Sequence, residues 1–119
     1  MKLPGPDHPI TIEPAPHRIV VRFHGAVVAD TTHALLLREA SYPPVVYVPR
    51  GDARMAHYRR STHSTHCPYK GDASYFDLVG AGGETGNAVW SYEQPFPAVA
   101  AIQDHLAFYP QHVTIEGAA

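Results

Sequence analysis

The chain has 119 residues, 45% of them hydrophobic and 17% charged, with nine Lys and Arg against eleven Asp and Glu for a formal net charge of −2 at pH 7. This is the composition of a globular domain and lies outside the disordered regime. It offers no basic excess to release counterions from a nucleic acid, so a nucleic-acid partner is not expected. Nine His would carry the charge from −2 to +7 on full protonation, so self-association should respond to acid. A single Cys, Cys67, excludes an internal disulfide and any multi-cysteine zinc site, and fits a reducing compartment. Apolar stretches such as Ala98 to Ile102 are far too short for a membrane span, and the Pro-rich start lacks the apolar centre of a signal peptide. The expectation is one cytoplasmic domain over residues 1–119, with an N-terminal tail of about residues 1–9, no membrane partner, and self-association allowed.

Twelve Pro and nine Gly cut the chain into short pieces rich in Val, Ile, Tyr and Phe, which predicts a mainly β fold. Arg18 to Phe23 (RIVVRF) and Ala26 to Ala29 (AVVA) read as a hairpin turning at His24 and Gly25. Asp30 to His33 form a polar corner before Ala34 to Arg38 (ALLLR). Val45 to Val48 (VVYV) is a short buried strand fenced by Pro43, Pro44 and Pro49. Gly51 to Arg60 loses the β pattern and predicts one or two helical turns, with Asp52 placed to accept from early amides. Alternation returns from Asp72 to Val79, which pairs with Ala88 to Tyr92 across a loop at Gly80 to Asn87 (GAGGETGN). Val99, Ile102 and Leu106 behind Pro97 predict a second helix over Phe96 to Leu106, followed by short strands at Ala107 to Tyr109 and Val113 to Ile115. Val20, Val28, Leu36, Val46, Phe76, Trp90 and Phe108 are the expected core.

The densest chemistry is Ser61 to Gly71 (STHSTHCPYKG). Pro68 and Gly71 predict a turn that lets Cys67 and Lys70 converge, so that the ammonium favours a thiolate and His63 or His66 takes the proton. The bland alternative is a small buried thiol beside an ion-paired lysine. His63 and His66 do not make a metal site, because positions three apart on a strand point to opposite faces; no metal or other cofactor is expected. His8, His17, His24 and His112 flank turns or ends and should be exposed. Gly80, Gly82, Gly83 and Gly86 lack the following helix and the lysine of a phosphate loop. Asp72 and Asp77 fall on opposite faces of one strand and make a weak acid–base pair. Tyr42, Tyr47, Tyr69, Tyr75, Trp90, Tyr92, Phe108 and Tyr109 lie on or beside predicted strands, where they serve either as core or as a ring that stacks a flat ligand or holds a cation.

Asp30, ALLLRE (Ala34 to Glu39), YPPVVYVPR (Tyr42 to Arg50), THCPYKGDASYF (Thr65 to Phe76), NAVWSY (Asn87 to Tyr92) and AFYP (Ala107 to Pro110) together resemble the domain-of-unknown-function 427 family of small bacterial and fungal proteins. The resemblance implies a β-tent-like fold, two antiparallel sheets meeting at an angle with one or two short helices. Some other β-tent proteins bind zinc through cysteine pairs, which this chain lacks, or a small ligand in an aromatic cage. The family has also carried the label nucleotidyltransferase, a chemistry that needs metal-holding carboxylates and a Gly-Ser signature. Neither Asp-x-Asp nor Gly-Ser occurs in the chain. In the family pattern the position of His66 accepts other aromatic residues while Cys67, Pro68, Lys70 and Gly71 belong to it, which makes Lys70 the stronger partner of Cys67.

Three functions follow as expectations. The first is a pocket near the CPYKG turn that binds a small polar or anionic molecule through Tyr69, Lys70, Tyr75, Trp90 and Tyr92. The second is an enzyme in the same pocket, with Cys67 as nucleophile or Lys70 as general base. The third is a structural or interaction module in which Lys70 and Asp72 only hold the turn.

Overall fold

The computed structural model describes residues 1–117. Ten strands follow one another: β1 (Ile10–Pro14), β2 (Ile19–Phe23), β3 (Ala26–Thr31), β4 (Leu35–Glu39), β5 (Val45–Pro49), β6 (Tyr58–Cys67), β7 (Gly71–Gly80), β8 (Gly83–Ser91), β9 (His105–Phe108) and β10 (Thr114–Glu116). They form two antiparallel sheets, one of seven strands in the order β1-β4-β5-β9-β8-β7-β6 and one of three in the order β10-β2-β3. The expected mainly β, two-sheet architecture is thus present. No helix among the described residues is long and apolar enough to cross a membrane.

Local chemistry explains the hairpins. His24 (φ 48°) and Gly25 (φ 81°) both adopt the left-handed region between β2 and β3, the two-residue turn whose twist matches that of the flanking strands. Pro43 and Pro44 before β5, and Pro49 at its end, limit it as proline must.

Strand periodicity gives the large sheet two different faces. Leu36, Val46, Val48, Phe76, Leu78, Leu106 and Phe108 point toward the small sheet, where they pack with Ile19, Val21, Phe23 and Val28 in the main core. Leu37, Tyr47, Ala73, Tyr75 and Ala107 belong to the opposite face and pack with Tyr92, Val99 and Ile102. A one-residue slip in any of these strands would exchange the two sets, so burial on both faces pins the register.

Several expectations are corrected. The one or two helical turns expected over Gly51 to Arg60 are present as two 3-10 turns, Arg50–Asp52 and Met55–His57, but the Asp52 carboxylate accepts from Thr31 Oγ1 at 2.7 Å instead of capping amides. The helix expected over Phe96 to Leu106 is a 3-10 segment over Pro97–Ile102, broken at Val99 (φ −123°), and Leu106 lies in β9. The loop expected at Gly80 to Asn87 is mostly strand, since β8 starts at Gly83 and only Ala81 and Gly82 make the turn. β1 and the polar length of β6 were not anticipated as strands. Val20, Leu36 and Trp90 are half-buried, because Val20 points to the face of β2 opposite the buried Ile19, Val21 and Phe23, Leu36 lines a small cleft and Trp90 lines a cavity.

Glu93 anchors one end of the large sheet. Its carboxylate accepts from Arg60 at 2.9 and 2.8 Å and from Arg50 at 3.0 Å. The Arg60 hydrogen bonds, outweighing partial burial, hold its pKa down to about 2. A carboxyl depressed in the folded state contributes stability that is present above its ordinary pKa and is lost as pH falls toward the folded value. The melting temperature is therefore expected to fall between about pH 4.5 and 2. In Glu93→Gln that segment of the profile should flatten, and thermal melts at stepped pH make the comparison.

Candidate functional site

The β6–β7 hairpin turns at Pro68 to Lys70, with Cys67 paired to Gly71. Lys70 N donates to the Cys67 carbonyl at 3.3 Å and Phe96 N donates to the Lys70 carbonyl at 3.0 Å, so both sides of Lys70's backbone are tied. Gly71 takes φ +109°, and a Cβ there would stand 3.4 Å from the Gln94 carbonyl oxygen. Only glycine meets both demands easily, and the result is a turn that sends the Lys70 side chain inward. Lys70 is 7% exposed, an unusual position for a lysine.

Its ammonium is held by the Glu39 carboxylate at the end of β4. The second carboxylate oxygen is 2.7 Å from His8 Nε2, and the His8 ring stacks on Tyr69 at 3.8 Å with the planes 4° apart. His8, expected to be exposed, is therefore half-buried between Glu39 and Tyr69. The segment expected as an N-terminal tail lies along the turn, with Lys2 N donating to the Pro68 carbonyl at 2.7 Å. Burial raises the Glu39 carboxyl, but the hydrogen bonds from Lys70 and His8 outweigh it and leave its pKa below the ordinary value. It is a carboxylate at neutral pH, and it matches the charge of Lys70.

Beside this pair lies a cavity of about 270 Å³. Strand parity builds its walls. Leu37 and Glu39 alternate on β4, Val45 and Tyr47 on β5, and Tyr75 projects from β7 directly opposite Trp90 of β8. Tyr92 follows β8, Tyr109 follows β9, and Tyr42 and Pro43 close the rim. Trp90 Nε1 donates to the Tyr47 hydroxyl at 3.3 Å, and the Trp90 ring lies 4.6 Å from that of Tyr109. The Tyr75 hydroxyl is 3.2 Å from that of Tyr109 and 3.1 Å from Thr65 Oγ1. Lys70 Nζ stands 5.9 Å from the centre of the Tyr92 ring. Burial raises the pKa of Tyr47 and Tyr92, and burial together with the Tyr75 hydrogen bond pushes Tyr109 up to about 12. All three phenols stay protonated near neutral pH and keep their donors.

Of the residues singled out from the sequence, Lys70, Tyr75, Trp90 and Tyr92 line this cavity. Tyr69 is turned to His8 and Lys2, outside the lining. Cys67 is half-buried and packs against the aromatic face, also outside the lining, while the Lys70 ammonium is engaged by Glu39. Glu39, Tyr47 and Tyr109 are the principal polar lining residues among those that had not been assigned to the site, with Leu37, Tyr42, Pro43 and Val45 completing the wall. Alternation along LLLRE would have put Leu35, Leu37 and Glu39 on one face, but nothing local names Lys70 as the partner of Glu39.

The other motifs separate. His66 Nδ1 is 2.7 Å from Asp72 on the exposed β6–β7 surface, whereas the His63 ring packs at 4.6 Å against Tyr75. Asp77 binds Arg59 at 3.1 Å and the Asn87 amide at 2.8 Å, away from Asp72. No group of three or more His, Cys, Asp or Glu could hold a metal among the described residues.

A search of curated proteins returns no match for the chain. Residues 11–118 match the family described as Domain of unknown function (DUF427), a span that contains every strand but the first residue of β1 and every lining residue of the cavity. Nearly the whole chain is thereby accounted for, and the protein belongs to the DUF427 family.

Proposed function

We propose that the protein binds a small polar molecule in the cavity between Lys70 and Trp90. The observation that carries this is the convergence of a buried, carboxylate-matched ammonium with five tyrosines and the single tryptophan on one small cavity. Concave sites with aromatic walls and a few fixed polar groups are the usual form of small-molecule pockets. Trp90 and Tyr109 supply stacking surface, the protonated phenols supply hydrogen bonds, and Lys70 Nζ supplies a charge-assisted donor. Glu39 neutralises Lys70, which favours a polar group with oxygen acceptors over a free anion. Cys67 catalysis has less support, since the sulfur is outside the lining and the ammonium is committed to Glu39.

Trp90 is the only tryptophan, so its emission reports on the cavity directly. A metabolite library scored by melting temperature should yield a compound that stabilises the folded state. That compound should also change Trp90 emission, and Lys70→Met should weaken it about tenfold to a hundredfold, the worth of a hydrogen bond to a charged group. Stabilising compounds that leave the emission and the Lys70→Met affinity unchanged would refute the assignment.

A further inference from the structure

The sheet is incomplete beside the cavity. β5 and β9 pair only at Val48 with Leu106 and Pro49 with His105. Continued in register, Val46 would face Phe108, but the ladder stops first, although β9 stays bonded to β8 through Phe108 and Ala107. The strands part into a slot. On one side of it is the polar cavity of about 270 Å³, and on the other an apolar groove of about 780 Å³. The groove is floored by Val46 and Phe108 and walled by Pro110, Val113 and Ile115 from the approach to β10 and β10 itself. Tyr42, Pro43, Val45 and Trp90 line both compartments, so the two adjoin at the indole.

The two ends differ in chemistry. Lys70, Glu39 and the phenols of Tyr47, Tyr75, Tyr92 and Tyr109 belong to the cavity alone, while among the described residues the groove beyond Trp90 has no charged residue in its lining. Tyr42, 64% exposed, sits on the shared rim. The groove's apolar walls give a molecule seated in the adjoining cavity a place to bury an apolar extension, with Trp90 and Val45 common to both. We infer that the ligand has two parts, a flat polar head in the Lys70 cavity and an apolar arm that passes Trp90 and lies in the groove between β5, β9 and β10, an inference that rests on the cavity being a ligand site.

Uncharged N-alkyl-4-hydroxybenzamides, from N-methyl to N-octyl, test this as probes with a constant head and a growing arm. Binding is read from Trp90 emission and from the melting temperature. Each added methylene is expected to tighten binding about threefold to fourfold until the groove is filled, the value of burying one methylene. Val113→Asp, in the groove but not in the cavity, should abolish that gain while leaving the N-methyl probe within about twofold of its original affinity. Ile115→Thr, which keeps a β-branched residue in β10, serves the same purpose if Val113→Asp does not fold. Binding that is independent of arm length, or a length gain that survives both groove substitutions, overturns the two-part ligand and leaves the cavity assignment intact. Long probes that bind while the N-methyl probe neither stabilises the protein nor changes the emission also overturn it, since the groove would then act alone. Silence across the whole series would refute the cavity as a site for flat polar heads and the two-part ligand with it.

Discussion

Glu39→Gln is expected to lower the unfolding free energy by about 3 to 5 kcal/mol, the cost of leaving one member of a buried ion pair without its counter-charge. Lys70 is 9% and Glu39 14% exposed at the side chain, so solvent reaching them through the cavity replaces only part of the lost carboxylate. The glutamine keeps the shape and one acceptor but removes the charge that matches both Lys70 and, when protonated, His8. Lys70→Met in the same background should recover most of the loss, because the double variant buries no charge, and the cycle of two single and one double substitution isolates the coupling. Chemical denaturation of the four proteins gives the comparison. A double variant no more stable than Glu39→Gln would mean that the pair is not the source of the effect.

That pair also marks where sequence reasoning stops. Runs that bury one or both faces were legible: RIVVRF and VVYV by β-branching, Asp72 to Val79 by alternation, His24-Gly25 and the Pro68–Lys70 turn by their turn residues. β6 was not. It is an edge strand whose Thr62 to His66 stretch faces solvent on both sides, so it carries no apolar period, and its conformation comes from pairing with β7. The glycines of GETGN hid the start of β8 for a similar reason, since a glycine-rich strand reads as a loop until its partner is known. The apolar spacing of Val99, Ile102 and Leu106 suggested a helix, yet Val99 is non-helical and Leu106 is buried from a strand. In the site, the turn and three aromatic residues were legible because their identity is local. Glu39 was not, because it meets Lys70 across 31 positions of sequence, and the choice of cavity face at Tyr47 and Tyr109 depends on strand parity.

The largest effect away from the cavity is expected at Phe76. Its ring is 4% exposed in the main core and meets the Tyr58 ring edge-on at 6.2 Å. The guanidinium groups of Arg50 and Arg60 lie 5.4 and 4.9 Å from its centre. Phe76→Ala removes the ring from a packed interior and should cost about 3 to 5 kcal/mol in transfer and cavity terms. Phe76→Leu separates the contributions, because it restores most of the apolar volume but no aromatic face. Its loss should be smaller, about 1 to 2 kcal/mol, combining a change of core shape with the forfeited cation–π contacts. The two guanidinium groups also hold Glu93, so a real contribution from the ring face predicts coupling. Phe76→Leu should then be less damaging in an Arg60→Met background than alone, since that background has already lost the nearer cation. Denaturant unfolding of the four proteins measures the coupling directly. If the cost of Phe76→Leu is the same in both backgrounds, Phe76 acts through packing alone and the arginines are held in place by Glu93.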